Sequence, residues 1–249
     1  MRIAIAGGSG TVGERVTRAV RERGHEAVVL SRAAGADIRD ADAVRRALEG
    51  ADAVVDVLNI NTLNTDRATE FFTAATTALL DVEKATGVGH HVTLSIVGVD
   101  RAPHGYYAAK LAQERLVESG DVPWSIQRAT QFHDFARQMY DGARLGPLHL
   151  APRGRVQPVS AEEVADRLVE IVESGPAGRV ADLAGPQEES LERMVRAYAR
   201  AQGAGAWIPV ISLPGGLGRA QRDGSLLPGP GAVLGRQTFD AWLSGRDPD

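Results

Sequence analysis

The chain has 249 residues, 28 Lys+Arg against 32 Asp+Glu, a formal net charge of −4, 43% hydrophobic residues and no cysteine. That length buries a full core unaided, and the missing cysteine excludes disulfides, thiolate zinc sites, iron–sulfur clusters and a cysteine nucleophile. A slightly acidic chain with scattered basic residues lacks the electrostatic footprint of a nucleic-acid binder.

The first residues pattern as a strand rather than a secretory leader, and no apolar run approaches the about 20 residues of a membrane span. A cytoplasmic protein with a small-molecule substrate, and no membrane or nucleic-acid partner, is therefore expected, as a monomer or homodimer. Of the 28 basic residues only Lys84 and Lys110 are lysines. In a chain that uses Arg almost everywhere, each surviving lysine invites a functional question.

In chain order, residues 2–6 read as a short buried strand ended by glycines. Residues 11–23 place Val12, Val16, Ala19 and Val20 at helical spacing, and Gly24 stops that helix. Residues 27–30 are a second strand. Residues 40–48 form an amphipathic helix with Asp40 as N-cap. A strand at 53–58, a long helix at 65–86 closed by Gly87, a strand at 91–97, a helix at 104–119 and a strand at 124–129 follow. Strands alternating with helices at this spacing indicate an α/β fold, a Rossmann-type doubly wound parallel sheet.

After residue 130, Gly, Pro and Arg rise and the elements shorten. Strands are expected near 155–159, 180–183 and 207–213, and helices at 161–173, 188–201 and 237–243. Residues 214–235 are expected to be a loop with at most a short helix at 217–222. The expected division is 1–135 as a nucleotide-binding domain and 136–249 as a small α+β substrate region packed on it.

Gly7-Gly8-Ser9-Gly10-Thr11-Val12-Gly13 joins the first strand to the first helix. It fits G-x-x-G-x-x-G and G-x-G-x-x-G together. The turn must be tight, the backbone must admit a pyrophosphate, and the helix start must supply free N–H groups. Residues 7–13 are thus expected to hold a dinucleotide. The second strand ends in Ser31 and Arg32 where NAD-preferring sites carry a carboxylate. A hydroxyl and a guanidinium there point to the 2′-phosphate of NADP(H). Asp37 and Ile38 follow where the adenine edge should lie. Leu58 and Asn59, after the strand at 53–58, are expected beside the cofactor.

Tyr106 and Lys110 stand four apart on one helix face. Such a lysine can hold the nicotinamide ribose, and its charge is expected to lower the tyrosine's pKa. The tyrosine can then give a proton to a carbonyl oxygen as hydride arrives, with Ser95 orienting that oxygen. Gln131 to Phe135 follow the strand at 124–129, so Phe132, His133 and Phe135 are substrate-side candidates, with Phe71, Phe72 and Tyr140 as further ones. His90 and His91 are adjacent strand residues facing opposite sides, and no metal site is expected.

The chain resembles the short-chain dehydrogenase/reductase superfamily in its atypical, NmrA-like branch with NAD(P)H-binding quinone-reductase-type members. The carriers are residues 7–13, Leu-Ser-Ile-Val-Gly-Val-Asp at 94–100, Tyr-Tyr-Ala-Ala-Lys at 106–110 and Arg-Ala-Thr-Gln-Phe-His-Asp-Phe at 128–135. The resemblance implies pyrophosphate binding at Gly7, Gly10 and Gly13, NADP choice at Ser31 and Arg32, ribose binding at Lys110, and catalytic roles for Ser95 and Tyr106. The implied function is an NADPH-dependent oxidoreductase reducing a small carbonyl or quinone-like acceptor. One alternative is a non-catalytic NADP(H) sensor of NmrA type. Another is a nucleotide-sugar epimerase or dehydratase, for which a C-terminal region of roughly 120 residues is meagre.

Overall fold

The structure, a computed structural model, describes residues 1–32, 35–62, 64–146, 148–204 and 207–245. Its elements begin β1 (Arg2–Ala6), α1 (Thr11–Glu22), β2 (Glu26–Leu30), α2 (Ala41–Leu48), β3 (Ala53–Asp56), α3 (Thr65–Thr86), β4 (His90–Ile96), α4 (Tyr106–Ser119) and β5 (Trp124–Ala129). They continue with α5 (Phe135–Gly142), β6 (Arg144–Leu145), β7 (Leu148–His149), β8 (Ala151–Pro152), β9 (Arg155–Val156), α6 (Ala161–Ser174), β10 (Gly178–Arg179) and β11 (Leu183–Ala184). The last are β12 (Glu189–Ser190), α7 (Leu191–Ala201), β13 (Val210–Ile211), α8 (Gly215–Asp223), β14 (Val233–Leu234) and α9 (Phe239–Ser244).

Two compact units result, one of residues 1–128 and 161–181, the other of 129–160 and from 182 onward. This differs from a single boundary after residue 135. Helix α6, expected in the C-terminal region, belongs to the first unit because its apolar face packs along α1. Arg15 with Glu162 at 2.6 Å and Arg23 with Glu173 at 3.0 Å line the margin of that packing.

In the first unit the strand order is β2-β1-β3-β4-β5, with β10 against β5. β1 pairs in parallel with β2 and β3, and β3 in parallel with β4. The five strands expected before residue 130 are all present among the described residues, with α2 between β2 and β3. Ile3 to Ala6 and Ala53 to Val55 are fully buried, as strands covered on both faces must be. Ala4, Ala6, Leu30, Val44, Leu48, Val54 and Leu79 form one core cluster. Asp40 caps α2 as expected, accepting from the amides of Asp42 and Ala43. Helix α4 starts at Tyr106 rather than 104, where Gly105 turns the chain at φ 59°.

Neighbouring strand residues show both covered faces. His90 turns toward α6, its Nε2 2.9 Å from Ser125 Oγ and the Val172 backbone against it. His91 turns the other way, its Nδ1 2.8 Å from Glu83 Oε1 on α3 and its Nε2 2.7 Å from Thr93 Oγ1. His91 and Glu83 are both fully buried. Burial alone would push the His91 pKa down; the Glu83 carboxylate outweighs it and raises the value above the ordinary 6.5.

The second unit gathers Val156, Leu191, Met194, Val195, Tyr198 and Phe239 into its own core. Its two-residue strands pair as β6 with β7 and β9 with β12 antiparallel, and β8 with β13 and β11 with β14 parallel. Helix α8 runs longer than expected, and β14 lies in a stretch expected to be loop.

The turn after β1 sets the seat of α1. Gly7 has φ 85°, in the left-handed region that favours glycine. A Cβ on Gly13 would stand 2.1 Å from Gly7 O and 2.6 Å from Gly8 Cα. A Cβ on Gly10 would meet only Gly7 O, at 3.3 Å. Gly13→Ala should therefore cost about 1–3 kcal/mol in urea unfolding, as overpacking does, while Gly10→Ala should shift the midpoint little; equal effects would contradict this packing.

The Glu83–His91 pair adds a pH dependence. A raised folded-state pKa contributes stability fully below the unfolded value of 6.5 and loses it as pH rises through the folded value. Relative to the neutral double variant Glu83→Gln/His91→Gln, wild-type unfolding free energy should fall as pH rises above the unfolded value of about 6.5. A constant difference as pH rises would refute the charged pair.

Candidate functional site

The glycine turn is built from both sides. The Gly7 amide donates to Leu30 O at 3.0 Å, which ties the turn to the end of β2. A Cβ on Gly7 would stand 2.9 Å from Val57 O, so the segment after β3 presses on the same turn. Gly7, Gly8 and Gly13 are thus required by protein packing, with Gly8 closed in by Val29 at 2.9 Å. Gly10 is not, and its exposed face carries no side chain toward solvent. Ser9 and Thr11 are exposed beside it and Val12 is buried. No side chain caps the N-terminus of α1, so its first amides lack a capping acceptor. The cradle has what a pyrophosphate would need: uncapped amides, the positive end of a helix and a Cβ-free approach at Gly10.

Beyond β2, Ser31 is half-buried and Arg32 exposed. No carboxylate ion-pairs with Arg32 among the described residues. Asp37 is engaged: its Oδ1 accepts from Arg39 N and Nε at 3.0 Å, and its Oδ2 from Nη2 at 2.5 Å. Those bonds with Arg39 hold its pKa down at about 2. This is a turn-forming role, and it leaves few lone pairs for an adenine amino group. Ile38 and Leu58 lie half-buried against the core cluster of Ala4, Ala6 and Val54.

Tyr106 and Lys110 share a face of α4, as their spacing predicts, but with different neighbours from those expected. The Tyr106 hydroxyl donates to Asn59 Oδ1 at 2.6 Å, and its ring meets the Phe72 ring edge-on at 5.5 Å. Lys110 is 4% exposed. Its ammonium donates to Leu94 O at 2.8 Å and to Gln113 Oε1, and it sits 4.7 Å from the Phe72 ring centroid. Burial lowers the Lys110 pKa to about 8 against the pull of Asp56 and Glu114. The expectation that Lys110 lowers the Tyr106 pKa is not met. Burial, then the neighbouring Tyr107 and Asp56, push that phenol upward, and Tyr106 stays protonated at neutral pH.

Ser95 is buried, and its hydroxyl makes no hydrogen bond to Tyr106 or Lys110; the ionisable group it influences is Glu114 on α4. Glu114 is fully buried and gripped at both oxygens by Arg128, at 2.9 and 2.7 Å. Arg179 adds a contact at 2.7 Å. Burial would raise the Glu114 pKa, but Arg128, Ser95 and Arg179 hold it below the ordinary value. Phe72 is fully buried against Ala68 and Ala109, so it is core rather than site lining.

The substrate-side candidates lie in the second unit. His133 is buried, its Nε2 3.1 Å from Gln237 O and its ring against Phe239 and Trp242. Phe135 packs half-buried on the second core, and Tyr140 stacks on His149 at 3.8 Å. Phe132 is half-buried and bridges to Val159. His133 and Phe135 thus serve the packing of that unit.

Three residues of the site escaped the sequence reading. Asp56 is fully buried and accepts from the Leu58 amide at 2.9 Å and from Gln113 Nε2 at 2.8 Å. Gln113 and Glu114 follow Lys110 by three and four residues, the spacing of one helix face. A lone carboxylate at the end of the apolar run 53–55 was the signal for Asp56. Among the described residues no group of three or more His, Asp or Glu stands together as a metal site, and no helix is long and apolar enough to cross a membrane.

A profile of NAD(P)H-binding proteins matches residues 7–175. Uncharacterized proteins of Mycobacterium tuberculosis and Mycobacterium bovis are 28% identical over 221 residues, 80% of this chain but 23% of theirs, so the chain spans about a quarter of these curated relatives. Among solved structures, a UDP-glucose 4-epimerase from Bifidobacterium longum in complex with NAD+ and UDP superposes with TM-score 0.71 at 15% identity, over 98% of this chain and 96% of that one. A new type of NADPH-dependent quinone oxidoreductase from Escherichia coli superposes with TM-score 0.68 at 17% identity, over 97% and 98%. These likenesses show the Rossmann-type fold, while the profile spans most of the chain and begins at the glycine turn: the chain belongs to the NAD(P)H-binding family.

Proposed function

We propose that this protein is an NADPH-dependent oxidoreductase that passes hydride to a small carbonyl or quinone-like acceptor. The observation that carries the reading is the glycine turn: packing demands Gly7, Gly8 and Gly13, whereas Gly10 is left bare only on the side where α1 presents uncapped amides. Arg32, exposed and without an ion-paired carboxylate among the described residues, supports a 2′-phosphate and hence NADP. A bound dihydronicotinamide would supply the hydride.

The chain's own residues would bind and manage protons. Gly7 to Gly13 take the pyrophosphate, with Ser9 and Thr11 at its edge. Ser31 and Arg32 take the 2′-phosphate, and Ile38 and Leu58 offer apolar contact to the adenosine half. Asn59 and Lys110 take the nicotinamide ribose. Tyr106 carries its proton at neutral pH and can hand it to a carbonyl oxygen that replaces Asn59 as acceptor, although the burial that raises its pKa works against that transfer. Two units, a nucleotide-binding one and a smaller one for the acceptor, follow from this reading.

A second reading is a sensor that binds NADP(H) without turnover. It is favoured by one observation: Lys110 bonds to Leu94 and Gln113, Tyr106 bonds to Asn59, and the Ser95 hydroxyl bonds to neither, so the three do not hydrogen-bond to one another. Length does not separate these readings from an epimerase, since the chain aligns with 96% of one.

Calorimetric titration should give NADPH binding at least about tenfold tighter than NADH, and Arg32→Ala should remove most of that gap, as losing a charge-assisted hydrogen bond does. NADH bound as tightly as NADPH would sink the Arg32 argument. NADPH oxidation against a panel of aldehydes, ketones and quinones tests the chemistry. Tyr106→Phe should slow carbonyl reduction by about 100-fold or more and quinone reduction far less. Tight NADPH binding with no oxidation by any acceptor would instead establish the sensor.

A further inference from the structure

Between α4 and the sheet a buried chain of polar groups links Lys110 to the segment beside the glycine turn. Lys110 Nζ donates to Gln113 Oε1, Gln113 Nε2 donates to Asp56 Oδ2 at 2.8 Å, and Asp56 Oδ1 accepts from the Leu58 amide at 2.9 Å. Gln113 and Asp56 are fully buried and Lys110 is 4% exposed. The amide of Gln113 therefore lies between a cation and an anion, its oxygen toward one and its nitrogen toward the other. That arrangement fixes its orientation and leaves both polar ends used. The far end of the chain reaches a segment with a direct part in the cradle. Leu58 follows Val57, whose carbonyl presses on Gly7, and precedes Asn59, which holds the Tyr106 hydroxyl.

We propose that Gln113 is the positioning residue of this site: its amide, clamped between the Lys110 ammonium and the Asp56 carboxylate, sets where Lys110 Nζ stands and where the 57–59 segment lies against the glycine turn. The proposal rests on the reading of Lys110 as a cofactor-binding residue. The groups facing Lys110 are Asp56 from β3, His91 from β4, Glu114 from α4 and the Phe72 ring from α3. Of the two groups that bond to the ammonium, Leu94 O and Gln113 Oε1, Gln113 alone also bonds to Asp56, which holds the Leu58 amide. A purely space-filling residue would act on stability alone; a clamp acts on the ionisation of Lys110 and on NADPH affinity.

The chain's two lysines make the test direct. Protein labelled with 13C-lysine gives two side-chain signals, and Lys84→Arg assigns them. Lys84, exposed and paired with Asp121, titrates above its ordinary value, while Lys110 titrates at about 8. Gln113→Met, which keeps volume and removes both polar ends, should lower the Lys110 midpoint by roughly half a unit or more and weaken NADPH binding about five- to tenfold. A Lys110 midpoint equal to or above wild type in a folded Gln113→Met protein overturns the proposal. If that variant does not fold, Gln113→Glu serves: it keeps an acceptor for Lys110 and sets a like charge against Asp56. It should raise the Lys110 midpoint and still weaken NADPH binding; wild-type affinity there also overturns it. Lys110→Ala separates the two readings. If it leaves NADPH affinity unchanged, Lys110 is not a cofactor residue, whatever the Gln113 variants do to the midpoint.

Discussion

The seat of α1 depends on an approach that a single methyl group would block. Gly13 lies so close to Gly7 and Gly8 that a Cβ there would stand 2.1 Å from a backbone oxygen. With that contact made, the helix axis is aimed at the end of β1, and its first turn opens where β2 and β3 also end. The Gly7 amide on Leu30 O and the Val57 carbonyl against Gly7 bring all three strand ends to one point. Parallel strands with helices on both faces end their carbonyl sides together, and this is where such sheets bind ligands.

Behind that point lies an unusual amount of buried charge. Asp56, Glu83, His91 and Glu114 are fully buried, with Lys110 nearly so and Arg128 reaching in from β5. Each has a partner: Glu83 has His91, Glu114 has Arg128 and Arg179, and Lys110 and Asp56 share Gln113. Removing one member of a buried pair leaves the other uncompensated, at a cost of about 3–5 kcal/mol. An all-apolar packing of the same volume would be at least as stable. A layer of paired charge between α3, α4 and the sheet therefore points to what the sheet end does rather than to what holds it together.

Much of this was legible in the sequence because it is local. The turn at 7–13 is a contiguous string between a strand and a helix, and each glycine's job follows from its place in it. The Tyr106–Lys110 spacing and the caps at Asp40 and Gly87 depend only on residues within a turn or two. The partners of Lys110 were not legible, because Leu94 and Asp56 come from two different strands and only the folded sheet brings them to α4. The upward shift of the Tyr106 pKa was missed for the same reason. Four-residue spacing promised a cation at the phenol, but Lys110 turns inward and its charge is spent on Leu94 and Gln113. Phe135 and His133 show a different limit of the sequence. An apolar or imidazole side chain after a strand reads the same whether it lines a pocket or fills a core, and here His133 and Phe135 join the second core. The position of α6 was missed because nothing local tells a helix to return to α1 after an intervening segment.

The two lysines have one more consequence, for the chemist who handles the protein. Lys84 stands in solvent beside Asp121, whereas Lys110 is closed off beneath α4 with its ammonium already engaged. The exposed side-chain amine of the folded chain is thus a single one. Among its lysine side chains, reagents that acylate or alkylate amines under native conditions will mark Lys84, near the far end of α3, and pass over Lys110.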